Sequence, residues 1–254
     1  MRYAVISLVL ILAANLAAAF EIEDQASFGP DTALRTLRII STADTGFFEP
    51  MVGSFLEANG DTRVDYTVVS SSDLVTARDQ KDGQFDLAIS SAMDLQIKLA
   101  NDGFAQSHFP QVSVPVPDWA IWNDMIFAFT QEPAAIVLSK QAFKDLRAPK
   151  SRQELLAALR ANPEQYRGKV GTYDIRQSGL GYMFATQDAR ASETYWRLTE
   201  VMGGLDAQLF CCSSAMIDAV ESGELAVAYN VLGSYAADRA DSDRFEIILP
   251  DDFT

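Results

Sequence analysis

The sequence predicts an α/β protein built from two similar lobes, and three observations carry that expectation. Three times in the first half an apolar, β-prone run empties into small hydroxyl and acidic residues, and a helical pattern follows. The runs are Leu37-Arg38-Ile39-Ile40 into Ser41-Thr42-Ala43-Asp44-Thr45-Gly46, residues 64–69 into Ser70-Ser71-Ser72-Asp73, and residues 85–89 into Ser90-Ser91-Ala92-Met93-Asp94. A proline-containing stretch then interrupts the pattern, and beyond it the same order of strand, polar turn and helix resumes. This alternation predicts parallel strands with helices packed on them. Neighbouring strands of such a sheet bring their turns together at one edge, where open sheets bind ligands. Ser, Thr and Asp at these junctions cap free helix amides, and the same amides and hydroxyls can grip a small molecule.

The elements follow in order from the N-terminus. Arg2, the apolar stretch 4–12 and Ala17-Ala18-Ala19 before Phe20 fit an export leader, predicted to be cleaved after residue 19. The leader has no cysteine, which argues against a lipid anchor, and a soluble periplasmic protein is expected. Residues 20–36 are polar, lack periodicity and contain Gly29-Pro30, so they read as an N-terminal tail. A first α/β lobe is expected over 37–117. Phe48, Met51, Val52, Phe55 and Leu56 have helical spacing, with Pro50 placed in a first turn. Further helices are predicted at 73–80 and 92–101.

Pro110, Pro115 and Pro117, with Val112, Val114 and Val116 alternating between them, predict an extended crossover into a second lobe at 118–240. Two strands, 126–130 and 135–139, are expected around Gln131-Glu132-Pro133. A helix at 151–161 and a strand at 169–173 follow. That strand ends in another polar turn, Asp174-Ile175-Arg176-Gln177-Ser178-Gly179, ahead of a helix carrying Tyr182, Met183 and Phe184. Helices at 192–202 and from Cys211–Ser214 through Glu221, the latter ended by Gly223, lead to a strand at 225–229. A last strand at 245–249 opens the segment 241–254, read as the start of a return to the first lobe.

Composition excludes several functions. The formal charge is −15, and the leader removes only Arg2 from the positive side, so the surface repels phosphate backbones and nucleic-acid binding is not expected. The only histidine is His108 and no Gly-x-Ser-x-Gly elbow occurs, so no nucleophilic triad is assigned, no catalytic residue is named and an enzyme is not expected. No cofactor and no resident metal is expected either. Cys211 and Cys212 are adjacent, and their α-carbons, about 3.8 Å apart across a trans peptide, are closer than an ordinary disulfide allows. A vicinal bridge and two unbridged buried residues both remain open. With no third cysteine and one histidine, a thiolate metal site is not expected.

The leader, Asp86-Leu87-Ala88-Ile89-Ser90-Ser91, Gly171-Thr172-Tyr173-Asp174 and, above all, Ser222-Gly223-Glu224-Leu225-Ala226-Val227-Ala228-Tyr229-Asn230 resemble the periplasmic solute-binding proteins of bacterial ABC transporters. The likeness is greatest to the branch that includes ferric-iron, phosphosugar and phosphoglycerate binders, and it runs from about Leu37 to Thr254. The resemblance implies the type 2 periplasmic-binding fold, two α/β lobes closing like a clamshell on a ligand cleft. It also implies a small-molecule ligand, an ABC permease or a membrane sensor kinase as partner, and a monomer. Two departures stand out. Iron-binding members present adjacent tyrosines after the last second-lobe strand, whereas here Tyr229 and Tyr235 are split, which argues against tyrosinate ligation of iron. The family also continues through further strands and helices, so the C-terminal part is expected to be missing.

The expected ligand is small and anionic, a phosphorylated or carboxylate solute. Thr42, Ser71, Ser91, Ser178 and Ser214 on the turns offer donors, and Arg176 offers a bidentate contact. Asp44, Tyr229 and Asn230 complete the candidate set. Asp44, Asp73, Asp94 and Asp174, with Tyr229 or Tyr235, supply the alternative of hard oxygen ligands for a cation such as ferric iron.

Overall fold

The computed structural model describes residues 20–77, 85–109, 116–239 and 242–252. The predicted leader, Val112 and Val114 of the crossover, the end of the helix expected at 73–80, and Phe253-Thr254 lie outside these residues. The first sheet is formed by β1 (Ile22–Phe28), β2 (Arg35–Ser41), β3 (Thr62–Val69) and β4 (Leu87–Ile89) in the order β1-β3-β2-β4. β2 runs parallel to β3 and β4, while β1 is antiparallel on the β3 edge, with Ile22 opposite Val69. Helices α1 (Thr45–Ala58), α2 (Ser71–Ala77) and α3 (Met93–Asn101) fill the connections. Successive strand residues face opposite sides. Ile39 therefore packs with Val52 of α1 and with Val64, Tyr66 and Val68, whereas Ile40 packs with Leu74 of α2 and Leu99 of α3.

A short turn and the hairpin β5 (Ile121–Trp122) and β6 (Ile126–Phe127) follow, and α3 touches β6. The second sheet takes β7 (Ala134–Ser139), β8 (Val170–Tyr173), β9 (Gln208–Phe210), β10 (Val227–Leu232) and β11 (Phe245–Ile248) in the order β11-β7-β10-β8-β9. β8 is parallel to β9 and β10, and β7 is antiparallel to β10 and β11. Helices α4 (Arg152–Ala161), α5 (Pro163–Tyr166) and α7 (Glu193–Gly204) cover one face through Leu155, Leu159, Tyr166, Leu198 and Met202. Helices α6 (Gly179–Ala191), α8 (Ser213–Ser222) and α9 (Gly233–Ala237) cover the other through Leu180, Met216, Ile217, Val220 and Ala236. Ser151 caps α4 by accepting from the Glu154 amide, and Gly223 ends α8 in the left-handed region at φ 84°. Among the described residues no helix is long and apolar enough to cross a membrane.

Several expectations change. Residues 22–28 are an edge strand, and their mostly exposed, polar side chains hide the period-2 signal that marks half-buried strands. Pro50 lies inside α1, past its first turn. The strand expected at 126–130 is only Ile126–Phe127, and it pairs with Ile121–Trp122. β11, in the segment read as the start of a return to the first lobe, pairs with β7 at the edge of the second sheet. β9, too short to show a pattern, was not foreseen.

Candidate functional site

Strands β2, β3, β4, β8, β9 and β10 all end on one cavity of about 300 Å³. The first sheet contributes Thr42, Asp44, Ser70, Ser71, Ser72, Asp73 and Ser91 from the turns after β2, β3 and β4, with Glu21 and Glu23 from the start of β1. β1 reaches this edge because it is antiparallel to β3. The second sheet contributes Tyr173, Gln177, Ser178, Cys211, Cys212, Ser213 and Tyr235. The two lobes touch around the cavity. The Asp44 amide donates to the Tyr235 hydroxyl at 3.0 Å, and Tyr235 stacks on Phe47 with ring centres 4.7 Å apart. Gly179 lies so close to the first lobe that an added Cβ would sit 2.8 Å from Ser71 Cβ and 3.1 Å from Ala92 Cβ. A second hollow of about 410 Å³, against Ser139, Lys169 and Gly223, draws on the second sheet alone.

Local hydrogen bonding decides which turn residues are free. Ser70, not Ser71, caps α2: its hydroxyl accepts from the Asp73 amide at 3.1 Å and donates to the Asp73 carboxylate at 2.7 Å. Ser71 is left buried in the cavity wall, 8% exposed. Asp44 occupies the cap position of α1 but makes no side-chain capping bond, so helix capping does not account for its carboxylate. Thr42 donates to Ser90, whose hydroxyl also accepts from the Ala92 amide. Ser178 caps α6 by accepting from Gly181, which leaves its proton able to donate into the cavity. Ser213 is tied to the Tyr173 hydroxyl at 2.5 Å and accepts from the Leu232 amide.

The wall is acidic. Glu21, Glu23, Asp44 and Asp73 line it, and among the described residues no lysine, arginine or histidine does. Burial, then the Asp44, Asp73 and Glu21 charges, raise the Glu23 carboxyl above its ordinary value. Burial likewise raises the Tyr173 and Tyr235 phenols. Burial, the contact with Cys212 and the facing Glu23 push the Cys211 thiol up to about 12.

Of the residues singled out from sequence, Thr42, Asp44, Ser71, Ser91 and Ser178 meet in this cavity. Arg176 does not line it. Its guanidinium forks onto Asp174 at 2.8 and 2.6 Å, because a fork two residues from a carboxylate closes on it directly. Ser214 is displaced by its neighbour, since Ser213 is the residue α8 turns inward, and Ser214 instead contacts the Cys212 sulfur. Tyr229 and Asn230 lie in the second-lobe core. The Tyr229 hydroxyl donates to Asp188 at 2.7 Å and accepts from Arg152 at 2.9 Å, and the Asn230 amide donates to Asp188 at 2.8 Å. A bulge at Asn230, φ 64°, separates Tyr229 from the edge where Tyr235 stands. Glu21, Glu23, Gln177 and the cysteines are wall residues that the sequence reading did not assign. The tail assignment hid the glutamates, although Glu21-Ile22-Glu23 carried their charge in plain view.

Residues 40–249 match the family described as bacterial extracellular solute-binding protein. The fold is similar to the crystal structure of the substrate-binding protein of an ABC transporter from Agrobacterium tumefaciens. The two are 34% identical with a TM-score of 0.85, over 89% of this chain and 69% of that one. Iron-bound HitA from Pseudomonas aeruginosa (15% identical, TM-score 0.60, 84% of this chain, 69% of that chain) shares the fold. So does the periplasmic binding protein AfuA from Actinobacillus pleuropneumoniae with exogenous fructose-6-phosphate bound (14%, 0.63, 87% and 70%). No curated protein sequence matches the chain.

Proposed function

The chain belongs to the bacterial extracellular solute-binding proteins, and from that premise we propose that it captures one small solute, bearing a cationic group, in the cleft between its two sheets. The observation that carries this reading is the charge of the wall: Glu21, Glu23, Asp44 and Asp73 on the first-lobe side, with no basic side chain beside them among the described lining residues. Carboxylates brought together and partly desolvated repel one another, and a positive group between them relieves that repulsion. The cation docks against Asp44 and Asp73. Gln177, Tyr235 and the Ser178 hydroxyl hold the rest of the solute from the second lobe.

The sequence-level expectation of an anion rested on hydroxyl-bearing turns, of which Thr42, Ser71, Ser91 and Ser178 line the cavity, and on Arg176, whose guanidinium is engaged by Asp174. One observation still favours an anionic group elsewhere on the solute: α6 and α8 both begin at the cleft, and helix starts carry free amides and a partial positive charge. A solute with an ammonium toward the first lobe and a carboxylate or phosphoryl group toward α6 and α8 satisfies both sides. The protein acts without changing the solute chemically. The leader directs it to the periplasm, and closure on the solute presents a shape to an ABC permease or to a membrane sensor kinase.

A thermal-shift panel on the purified mature chain tests this, because a solute that binds only the folded state raises its melting temperature. The panel holds polyamines, amino acids, aminated phosphonates, phosphorylated sugars, dicarboxylates and ferric complexes. Cation-bearing members are expected to raise the melting temperature. A response confined to phosphorylated sugars or dicarboxylates contradicts the cationic reading. A ferric complex that gives a coloured protein, with the colour lost in Tyr235→Phe, points to iron as the solute.

A further inference from the structure

Cys211 and Cys212 are the only cysteines in the chain, and solute capture as described leaves them without a task. They form the end of β9's turn and the cap position of α8, in the cavity wall that faces Glu23. The two sulfurs lie 2.9 Å apart, and Cys211 is exposed. Little further approach separates sulfurs so placed from a bond, and the cavity gives an exchange partner access to Cys211. We propose that Cys211 and Cys212 are a reversible dithiol–disulfide site built into the cleft wall, one that takes thiols and disulfides of the glutathione class as reactants.

The chemistry balances as ordinary exchange. The thiolate of one cysteine attacks the partner disulfide, whose S–S bond breaks. One partner sulfur leaves as a thiolate and takes up the proton the cysteine lost. The second cysteine, as thiolate, then attacks the cysteine sulfur of the mixed disulfide, forms the Cys211–Cys212 bond and expels the second partner sulfur, which takes up the second proton. The chain loses two hydrogens, and one partner disulfide becomes two thiols.

Adjacency makes the bridge reversible. Neighbouring α-carbons about 3.8 Å apart fall below the usual disulfide range, and strained bridges are the more easily reduced ones. Partial desolvation, the neighbouring Cys212 and the facing Glu23 keep the Cys211 thiol protonated and lower its thiolate fraction, so exchange is slow at neutral pH and quickens as pH rises. Oxidation also removes two S–H groups from the wall and ties the cap residue of α8 to the residue before it, so the state of the pair alters the surface a solute meets.

The test needs no solute. The full chain is equilibrated without oxygen in glutathione buffers of graded ratio, acid-quenched, alkylated and weighed. The expected result is an unalkylated fraction that rises from near zero to near complete as the buffer becomes more oxidising, in a species two hydrogens lighter whose digest contains a Cys211–Cys212 linked peptide. Cys211→Ser and Cys212→Ser should yield only single glutathione adducts. Where a variant does not fold, the wild-type curve decides alone. Thiols that stay alkylatable at every ratio, a bridge that survives the most reducing buffer, or oxidation only to glutathione adducts or linked chains would overturn the proposal. A panel in which no solute binds would count against the cleft's function and leave this result standing.

Discussion

Individual side chains at the cleft obey two rules, one of which is visible in sequence. A hydroxyl or carboxylate one to five residues past a parallel strand reaches the shared edge, and Thr42, Asp44, Ser71, Ser91 and Ser178 do so. What a nearby partner has already engaged cannot be read from spacing, and that is where Arg176 and Tyr229 depart. Glu23 gives a prediction with a definite sign. Its folded pKa is raised above the ordinary 4.5. Between the two values the folded state holds a proton that the unfolded chain has released, so this contribution to stability is present below the ordinary value and is lost as pH rises through the raised one. Glu23→Gln should therefore flatten the decline of melting temperature with pH across that window, and identical profiles would contradict the assignment. A second prediction concerns the core. Asp188 accepts from Tyr229 and Asn230 and faces the wholly buried Arg152 at 3.4 Å. Asp188→Ala removes an opposing charge from that arginine and should cost about 3–5 kcal/mol in urea unfolding.

At the scale of elements, the alternation of apolar strand and amphipathic helix was legible wherever burial imposes a period. α4 and α8 fall where Leu155, Leu156 and Leu159, and the stop at Gly223, place them. β1 escaped because an edge strand with both faces wet has no apolar alternation, and β11's partner escaped because strand pairing depends on long-range register rather than on local pattern. The start of α6 tests how the lobes meet. Gly179→Ala brings a Cβ to 2.8 Å from Ser71 Cβ, too close for either backbone to keep its place. Overpacking costs about 1–3 kcal/mol when nothing gives, but here the lobes can move apart as bodies. The variant should bind solute at least about tenfold more weakly, by a shift of roughly 1.4 kcal/mol, while its urea midpoint moves little. A lowered midpoint with unchanged affinity would show that Gly179 matters only within its own lobe.

For the whole molecule, the two-lobe architecture was readable from the repeated strand, turn and helix order, because that order by itself dictates open sheets whose turns gather at one edge. The charge of the cleft was not, since its acids come from β1 and from turns that only the folded register brings opposite α6 and α8. In the proposed cleft one solute is held by both lobes, with its cation on the first. Titration calorimetry of the solute giving the largest thermal shift, against wild type, Asp44→Asn, Gln177→Ala and Arg176→Ala, separates the two sides of the cleft. One site per chain is expected. Affinity should fall about ten- to 150-fold for Asp44→Asn, the range for a lost charge-assisted hydrogen bond, about two- to tenfold for Gln177→Ala, and less than about twofold for Arg176→Ala. Affinity that survives Asp44→Asn and collapses in Arg176→Ala would contradict the cationic reading and restore an anionic solute bound outside the acidic wall.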